Sequence, residues 1–203
     1  KNAPYCCCFV SFMVQKYTVF SYFRTKLVFN KWVFMQTVQV KDKQFELFIT
    51  EDQLLTDIKR VADSICNDYS GKNPLFLVVL NGSFMFASDL LKNIQFPAEV
   101  SFIKVSSYSG VQTTENVKQL IGLNEDISGR NIIIVEDVVD TGITMKETLA
   151  LIEARNPSSV AICTMLFKPN KIKVDLNIKY IAREIPDDFI VGYGLDYDGY
   201  GRN

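Results

Sequence analysis

Residues 131–144, NIIIVEDVVDTGIT, constrain this chain of 203 residues more than any other stretch. Residues 131–135 are a short, continuous and largely β-branched run, the pattern of a strand buried on both faces of a parallel sheet. The strand delivers two adjacent carboxylates, Glu136 and Asp137, to its C-terminal end. After Val138 and Val139 comes a turn, Asp140-Thr141-Gly142-Ile143-Thr144. The spacing predicts a helix from Met145 that stops at Asn156-Pro157, where proline cannot continue it. Such a junction aims backbone N–H groups and the positive end of a helix at one point, which suits a phosphate. Thr141 and Thr144 add hydroxyl donors, and Gly142 lets the backbone come close. Three carboxylates beside an anion repel it unless something cationic or hydroxylic lies between. A sugar phosphate with free hydroxyls and a divalent metal meets that need. An ordinary βα unit with a capped helix is the plain alternative for a lone DTG, but the full ED–VV–DTGIT pattern is far more specific.

Composition removes several classes. The chain has no histidine, which excludes Ser-His-Asp and Cys-His catalysis and any His-ligated metal. GxxxxGK[ST] is absent and no GxGxxG follows a strand. Cys6, Cys7 and Cys8 are contiguous, while Cys66 and Cys163 stand alone in apolar patterns as expected core residues; with no CxxC pair, a reducing, cytoplasmic setting is expected. Formal net charge is −1, unevenly spread: residues 1–34 carry Lys1, Lys16, Arg24, Lys26 and Lys31 and no acid, so the remainder is acidic. An acidic body argues against a phosphate-backbone binder, and no nucleic-acid partner is expected.

Residues 1–34 are crowded with aromatics, lack glycine and show neither a strand nor a helix period. Their longest uncharged run, 2–15, is too short to span a bilayer, and no membrane association is expected. The expectation is that Met35 is the natural start, that 1–34 lies outside the fold, and that residues 35–203 are one domain. Thr37–Val40 reads as an edge strand. Thr50 and Gln53 form a capping-box pattern, and Leu54, Leu55, Ile58, Val61, Ala62 and Ile65 repeat at helical spacing over 51–69. Residues 75–80 read as a second buried strand, followed by Asn81-Gly82-Ser83 and a short helix over 84–91, a second anion-compatible corner. Residues 99–105 read as a third strand. It runs into a polar stretch, 106–116, expected to be a mobile loop that closes over substrate as a lid. Residues 117–121 can return as its antiparallel partner. Strands follow at 159–167 and 180–183, then a turn, a strand and an acidic end over 185–197. The tail stops at Asn203 without a closing strand, so a truncated C-terminus is expected. Strands alternating with helices predict an α/β fold with a mainly parallel central sheet flanked by helices and a site at the strands' C-terminal ends.

The pattern at 131–144 resembles the phosphoribosyl-pyrophosphate (PRPP) signature of type I phosphoribosyltransferases. Four segments in order, LNGSFMFASDL (80–90), VSSYSG (105–110), VEDVVDTGITM (135–145) and the tail FKPNK…EIPDDFIVGYGLDYDGYGRN, resemble the hypoxanthine-guanine branch of that family, the bacterial enzymes most closely. The resemblance covers 35–203 and implies a type I fold with a small hood over a purine site. It implies transfer of the phosphoribosyl group of PRPP to hypoxanthine or guanine, giving IMP or GMP and pyrophosphate in purine salvage. It also implies that Glu136 and Asp137 hold the ribose hydroxyls and help organise Mg2+. Asp140, Thr141, Gly142, Ile143 and Thr144 cradle the 5′-phosphate, with Asp140 as general base at purine N7. Asn81, Gly82, Ser107, Tyr108 and Arg202 face pyrophosphate. At the purine, Phe189 stacks, the Ile190 backbone reads the polar edge, Lys168 donates to the 6-oxo group and Asp196 ligates Mg2+. A lysine favours 6-oxopurines because it faces an unpaired donor on adenine. Asn81 stands where many relatives have lysine, and Ile143 where some do. A homodimer or homotetramer is expected. A preference for xanthine stays open, as does a PRPP-sensing regulator, although such proteins carry a DNA-binding helical domain or a basic face.

Overall fold

Thr50 begins the first helix with a reciprocal pair of hydrogen bonds. Its Oγ1 accepts from the Gln53 amide (3.4 Å), and the Gln53 Oε1 accepts from the Thr50 amide (3.0 Å). The structure, a computed structural model, describes residues 12–15, 37–108 and 117–203, with side chains over 37–105 and 122–203. In chain order the elements are β1 (Phe12–Gln15), β2 (Thr37–Val40), β3 (Lys43–Ile49), α1 (Glu51–Tyr69), β4 (Leu75–Val79), α2 (Phe84–Lys92), β5 (Glu99–Tyr108), β6 (Val117–Ile121), β7 (Asn131–Val139), α3 (Ile143–Glu153), β8 (Ser159–Phe167), β9 (Tyr180–Glu184) and β10 (Ile190–Val191).

The main sheet has the order β6-β5-β4-β7-β8-β9. Its last five strands run parallel, and β6 pairs antiparallel to β5 at the edge. Continuous apolar runs build the centre because both faces are covered. On one face Phe76, Val78, Ile133, Val135 and Cys163 pack with Leu54, Ile58 and Ile65 of α1 and Phe86 and Leu90 of α2. On the other, Leu75, Leu77, Ile132, Ile134 and Ile162 pack with Met145 and Ile152 of α3. Alternate residues of each strand thus feed opposite cores.

A second, four-stranded sheet has the order β10-β1-β3-β2 and a small core of its own, Val40, Phe45 and Val191. This is the hood. The segment 1–34, expected to lie outside the fold, contributes β1 to it, paired antiparallel between β3 and β10. The hairpin strand β3 was not anticipated: in KQFELFI, Phe45 and Ile49 are buried but Leu47 is exposed, so burial does not follow a simple apolar count.

Element boundaries shift where pairing continues beyond the apolar run. β7 extends through Glu136 and Asp137 to Val139 because β8 keeps pairing with it as far as Val139↔Phe167. β5 likewise continues through Ser106–Tyr108, paired with Gln119, Lys118 and Val117, so the start of the expected loop is strand. The rest of the expected lid, 109–116, lies outside the described residues. α3 begins at Ile143, two residues earlier than the spacing suggested, with Gly142 as its N-cap.

Candidate active site

The C-terminal ends of β4, β7 and β8 meet the segment after β10, and that junction gathers nearly every residue singled out in the sequence. At its centre Glu136, Val138, Val139, Asp140, Thr141, Gly142, Thr144 and Met145 line a cavity of about 220 Å³. Gly142 turns the chain from strand to helix at φ 76°, a left-handed conformation that suits glycine. A Cβ there would also stand 2.5 Å from Ile172 Cδ1 and 2.9 Å from Val174 Cγ2. The Lys168 amide donates to the Val139 carbonyl (3.1 Å) and the Lys173 amide to the Thr141 carbonyl (3.0 Å). The 168–173 segment is therefore tied alongside the elbow on either side of Asp140.

Glu136 and Asp137 set two half-buried carboxyl groups side by side near the end of β7. Burial first, and then the neighbouring Asp137, pushes the Glu136 carboxyl well above the usual carboxylate range. Burial also raises Asp137, against a backbone hydrogen bond from Val138 (2.7 Å) and the field of Arg202, which both favour its ionised form. The pair is poised to accept hydroxyl donors or a cation.

At the second corner, Leu80–Asn81 is a cis peptide, and Ser83 Oγ donates to the Val79 carbonyl where the chain turns into α2. Gly82 lies flat against the acidic pair: a Cβ built on it would fall 1.3 Å from Asp137 Oδ2. Behind it stands Gly194, whose Cβ would fall 1.8 Å from the Gly82 carbonyl oxygen. Three distant stretches of chain thus stack with no side chain between two of them. Asn81 is exposed at the rim.

The tail wraps the same spot. Arg202 donates through Nη1 to the Gly194 carbonyl (2.6 Å) and pairs through Nη2 with Asp196 Oδ1 (2.7 Å); the Gly194 amide donates back to the Arg202 carbonyl (2.8 Å). Asp196 Oδ2 accepts from the Gly199 amide (2.6 Å). Arg202 and Gly199 orient the Asp196 carboxylate, and no group of three or more Cys, Asp or Glu side chains among the described residues is placed to hold a metal ion. Glu136, Asp137 and Asp196 do not form one closed cage. That arrangement fits Mg2+, which is commonly held by one or two carboxylates together with substrate phosphates and waters rather than by an all-protein shell.

At the other end of the elbow Lys168 is buried, its Nζ 3.6 Å from Asp140 Oδ2 and 3.6 Å from Asp187 Oδ1. Lys171 bridges the same two carboxylates at 3.1 and 2.8 Å. Hydrogen bonds to Asp187 and then Asp140 raise the Lys171 ammonium above its ordinary value, and the Lys171 bond foremost holds Asp187 below the usual carboxylate range. Asp140 Oδ1 is buried without a hydrogen-bond partner among the described residues. Two residues beyond Asp187, the Phe189 ring is partly exposed, and Ile190 is buried in β10.

Of the residues singled out in the sequence, the structure brings together Glu136, Asp137, Asp140, Thr141, Gly142, Ile143, Thr144, Gly82, Lys168, Asp196 and Arg202; Asn81 precedes Gly82 at the rim, and Phe189 and Ile190 follow Asp187, with Phe189 against Phe45 and Tyr197 and Ile190 in β10. Ser107 and Tyr108 end β5, and their side chains lie outside the described residues. Lys171, Asp187 and Gly194 were missed. The glycine-rich run GYGLDYDGYG was a signal for Gly194; Lys171 and Asp187 look like ordinary surface charges until the fold pairs them.

The profile described as the phosphoribosyl transferase domain matches residues 49–198. The chain belongs to that family. The hypoxanthine phosphoribosyltransferase of Salmonella typhimurium is 42% identical over 155 residues, covering 75% of this chain and 87% of the relative. The hypoxanthine-guanine phosphoribosyltransferase of Staphylococcus aureus is 38% identical over 159 residues, covering 78% and 89%. Among solved structures, a hypoxanthine-guanine phosphoribosyltransferase from Bacillus anthracis with HEPES in its active site superposes with a TM-score of 0.71 at 38% identity, covering 77% of this chain and 92% of that one.

Proposed function

We propose that this chain is the purine-salvage enzyme that transfers the phosphoribosyl group of PRPP to hypoxanthine or guanine, releasing pyrophosphate and giving IMP or GMP. The observation that carries the purine assignment is the closeness of a buried ammonium, Lys168, to the carboxylate of Asp140, with the Phe189 ring on the segment bridged to both through Asp187. An aromatic face, a cationic donor and an acidic acceptor are what a 6-oxopurine presents partners for: its plane, its O6 and its N7–H.

Each role follows from position. Phe189 stacks on the base, the Ile190 backbone reads its polar edge, and Lys168 donates to O6. Adenine presents an amino donor at that point and leaves the ammonium unpaired. Asp140 takes the N7 proton as N9 attacks the anomeric carbon. The N-terminal turn of α3, with Thr141, Gly142, Ile143 and Thr144, holds the 5′-phosphate. Glu136 and Asp137 hold the ribose hydroxyls and stabilise positive charge growing on the sugar. Gly82 and Asn81 in the cis-peptide turn, Ser107 and Tyr108 at the end of β5, and Arg202 face the departing pyrophosphate. Glu136, Asp137 and Asp196 would hold Mg2+, which when bound neutralises charge on the leaving group. The enzyme works in the cytoplasm on PRPP and a free base, without nucleic acid or membrane, as a homodimer or homotetramer. Among the described residues no helix is long and apolar enough to cross a membrane. The exposed Leu55 and Phe84, on a groove of about 640 Å³ between α1 and α2, give a second copy a face to cover.

The test is a spectrophotometric assay of hypoxanthine, guanine, xanthine and adenine with PRPP and Mg2+, repeated with Asp140→Asn. Turnover of the first two is expected, with a loss of about 10²–10⁴-fold in the variant. Turnover undiminished in Asp140→Asn rules out the base assignment, and turnover confined to xanthine or adenine rules out the substrate assignment.

A further inference from the structure

The Phe189 ring rests on a small hood, whose core is three buried residues separate from both cores of the main sheet. Two rings bound it on the protein side: Phe45, fully buried with its centroid 6.1 Å away at an interplanar angle of 45°, and Tyr197, 5.7 Å away and edge-on at 86°. The edge-to-face contact fixes the tilt of Phe189, because the positive edge of one ring meets the negative face of the other in few orientations. Tyr197 belongs to the tail and β3 lies far from it along the chain, so something must hold the tail ring in place. The turn between β2 and β3 does so. The Tyr197 hydroxyl donates to Asp42 Oδ1 (2.9 Å), and Lys43 Nζ stands 5.3 Å from the centre of the Tyr197 ring. One residue earlier, Lys41 pairs with Asp198 and lies over the Tyr200 ring at 4.9 Å. The hydroxyl bond is the foremost reason the Asp42 carboxyl sits below its ordinary range.

We infer that Tyr197, clamped by Asp42 and Lys43 of the β2–β3 turn, is the positioning residue for the stacking face of Phe189, so that this hairpin turn sets affinity for the planar base without touching it. The inference rests on the proposed role of Phe189. The side-chain contacts of the clamp run from Asp42 and Lys43 to Tyr197 and from Tyr197 to Phe189, so its effect falls on the base before the activated sugar. A purine stacks on a ring held at one tilt with less ordering to do on binding than on a ring free to sample several.

The experiment measures kcat, KM for hypoxanthine at saturating PRPP and KM for PRPP at saturating hypoxanthine in the full chain. The variants are Tyr197→Leu, Tyr197→Phe, Asp42→Asn and the double variant Asp42→Asn/Tyr197→Phe. Tyr197→Leu, which removes the edge-on ring, raises the hypoxanthine KM about three- to tenfold and leaves the PRPP KM unchanged. Tyr197→Phe restores most of the affinity because it keeps the ring. Asp42→Asn and Tyr197→Phe have smaller effects, and the double variant is no worse than Tyr197→Phe alone, since Tyr197→Phe already removes the bond that Asp42→Asn only weakens by taking away its charge. If Tyr197→Leu does not fold, the Phe and Asn variants carry the test through that non-additivity. Equal rises in both KM values, or a hypoxanthine KM that stays put in Tyr197→Leu and adds independently in the double variant, overturn the inference while the proposed function stands. Absence of wild-type turnover on any 6-oxopurine removes the proposed function and this inference together.

Discussion

Gly82→Ala tests whether the turn after β4 and the acidic pair on β7 are one device. Gly82 is outside the left-handed region, so alanine there meets no backbone penalty. The whole effect is one methyl group, which would stand 1.3 Å from Asp137 Oδ2, 2.5 Å from its Cγ and 3.3 Å from its Cβ. Ordinary contact begins about 2 Å further out, so the carboxylate must swing away. Doing so breaks the bond its Oδ1 accepts from the Val138 amide at 2.7 Å. A hydrogen bond to a charged group contributes about 1.5–3 kcal/mol, and forcing a methyl into a packed site costs about 1–3 kcal/mol. If about 2–4 kcal/mol of that total falls on the transition state, kcat/KM for PRPP drops by about 30- to 1000-fold. The assay is initial rate against PRPP concentration, with thermal denaturation beside it to show that the variant is folded. An Asp137→Ala background provides the cross-check, because with the carboxylate gone the added methyl has little left to displace. Near-wild-type kcat/KM in Gly82→Ala would refute the stacking of these two segments. So would a full additive loss in the double variant.

Gly194→Ala places its methyl 1.8 Å from the Gly82 carbonyl oxygen, a backbone atom that cannot swing away, at φ 101° where alanine is already strained; denaturant titration is expected to show a greater stability loss than in Gly82→Ala. Lys168→Gln removes a buried ammonium and with it the charge-assisted bond proposed for it to the base, so kcat/KM for hypoxanthine is expected to fall by about 10- to 100-fold while the KM for PRPP holds; steady-state kinetics read both. Because Asp187 is held below the usual carboxylate range by Lys171, its contribution to stability is present above the unfolded-state carboxylate value and lost as pH falls through the folded one. Lys171→Met therefore lowers the denaturation midpoint slightly at pH 7 and not at all in strong acid, which urea titrations at the two pH values check.

The parts of the site legible in the sequence are those where chemistry and local pattern coincide. The run 131–144 announces a buried strand, two acids and a glycine turn within one window, and the structure has all three in that order, with the strand running four residues further and the helix starting two residues earlier than the pattern implies. The capping box at Thr50 and Gln53 is equally local, and so is α1. What the sequence hides depends on pairing across distance. β7 carries its acids inside the strand because β8 continues alongside it, a fact held by residues 159–167. β3 alternates imperfectly, since Leu47 is exposed between buried Phe45 and Ile49, and one of its two neighbours, β1, comes from outside the hairpin. Lys171 becomes part of the site only when the 168–173 segment is hydrogen-bonded to the elbow and Asp187 arrives from beyond β9.

The same division explains how the site is stabilised. Glu136 and Asp137 are raised by burial, so ionising them in the folded state opposes folding: the penalty is absent in acid and grows as pH rises through the unfolded-state carboxylate values. Local hydrogen bonds, among them the one Asp137 accepts from the Val138 amide, offset part of that, and a further contribution comes from the far end of the chain, where the field of Arg202 favours the charged form of Asp137. Arg202 is itself fixed by Asp196 and by a two-way pairing with Gly194, which in turn abuts Gly82. The acids on β7 and the tail that steadies them are therefore mutually dependent. A ligand bringing hydroxyls or a divalent cation to Glu136 and Asp137 relieves the remaining repulsion, so substrate binding and folding draw on the same contacts.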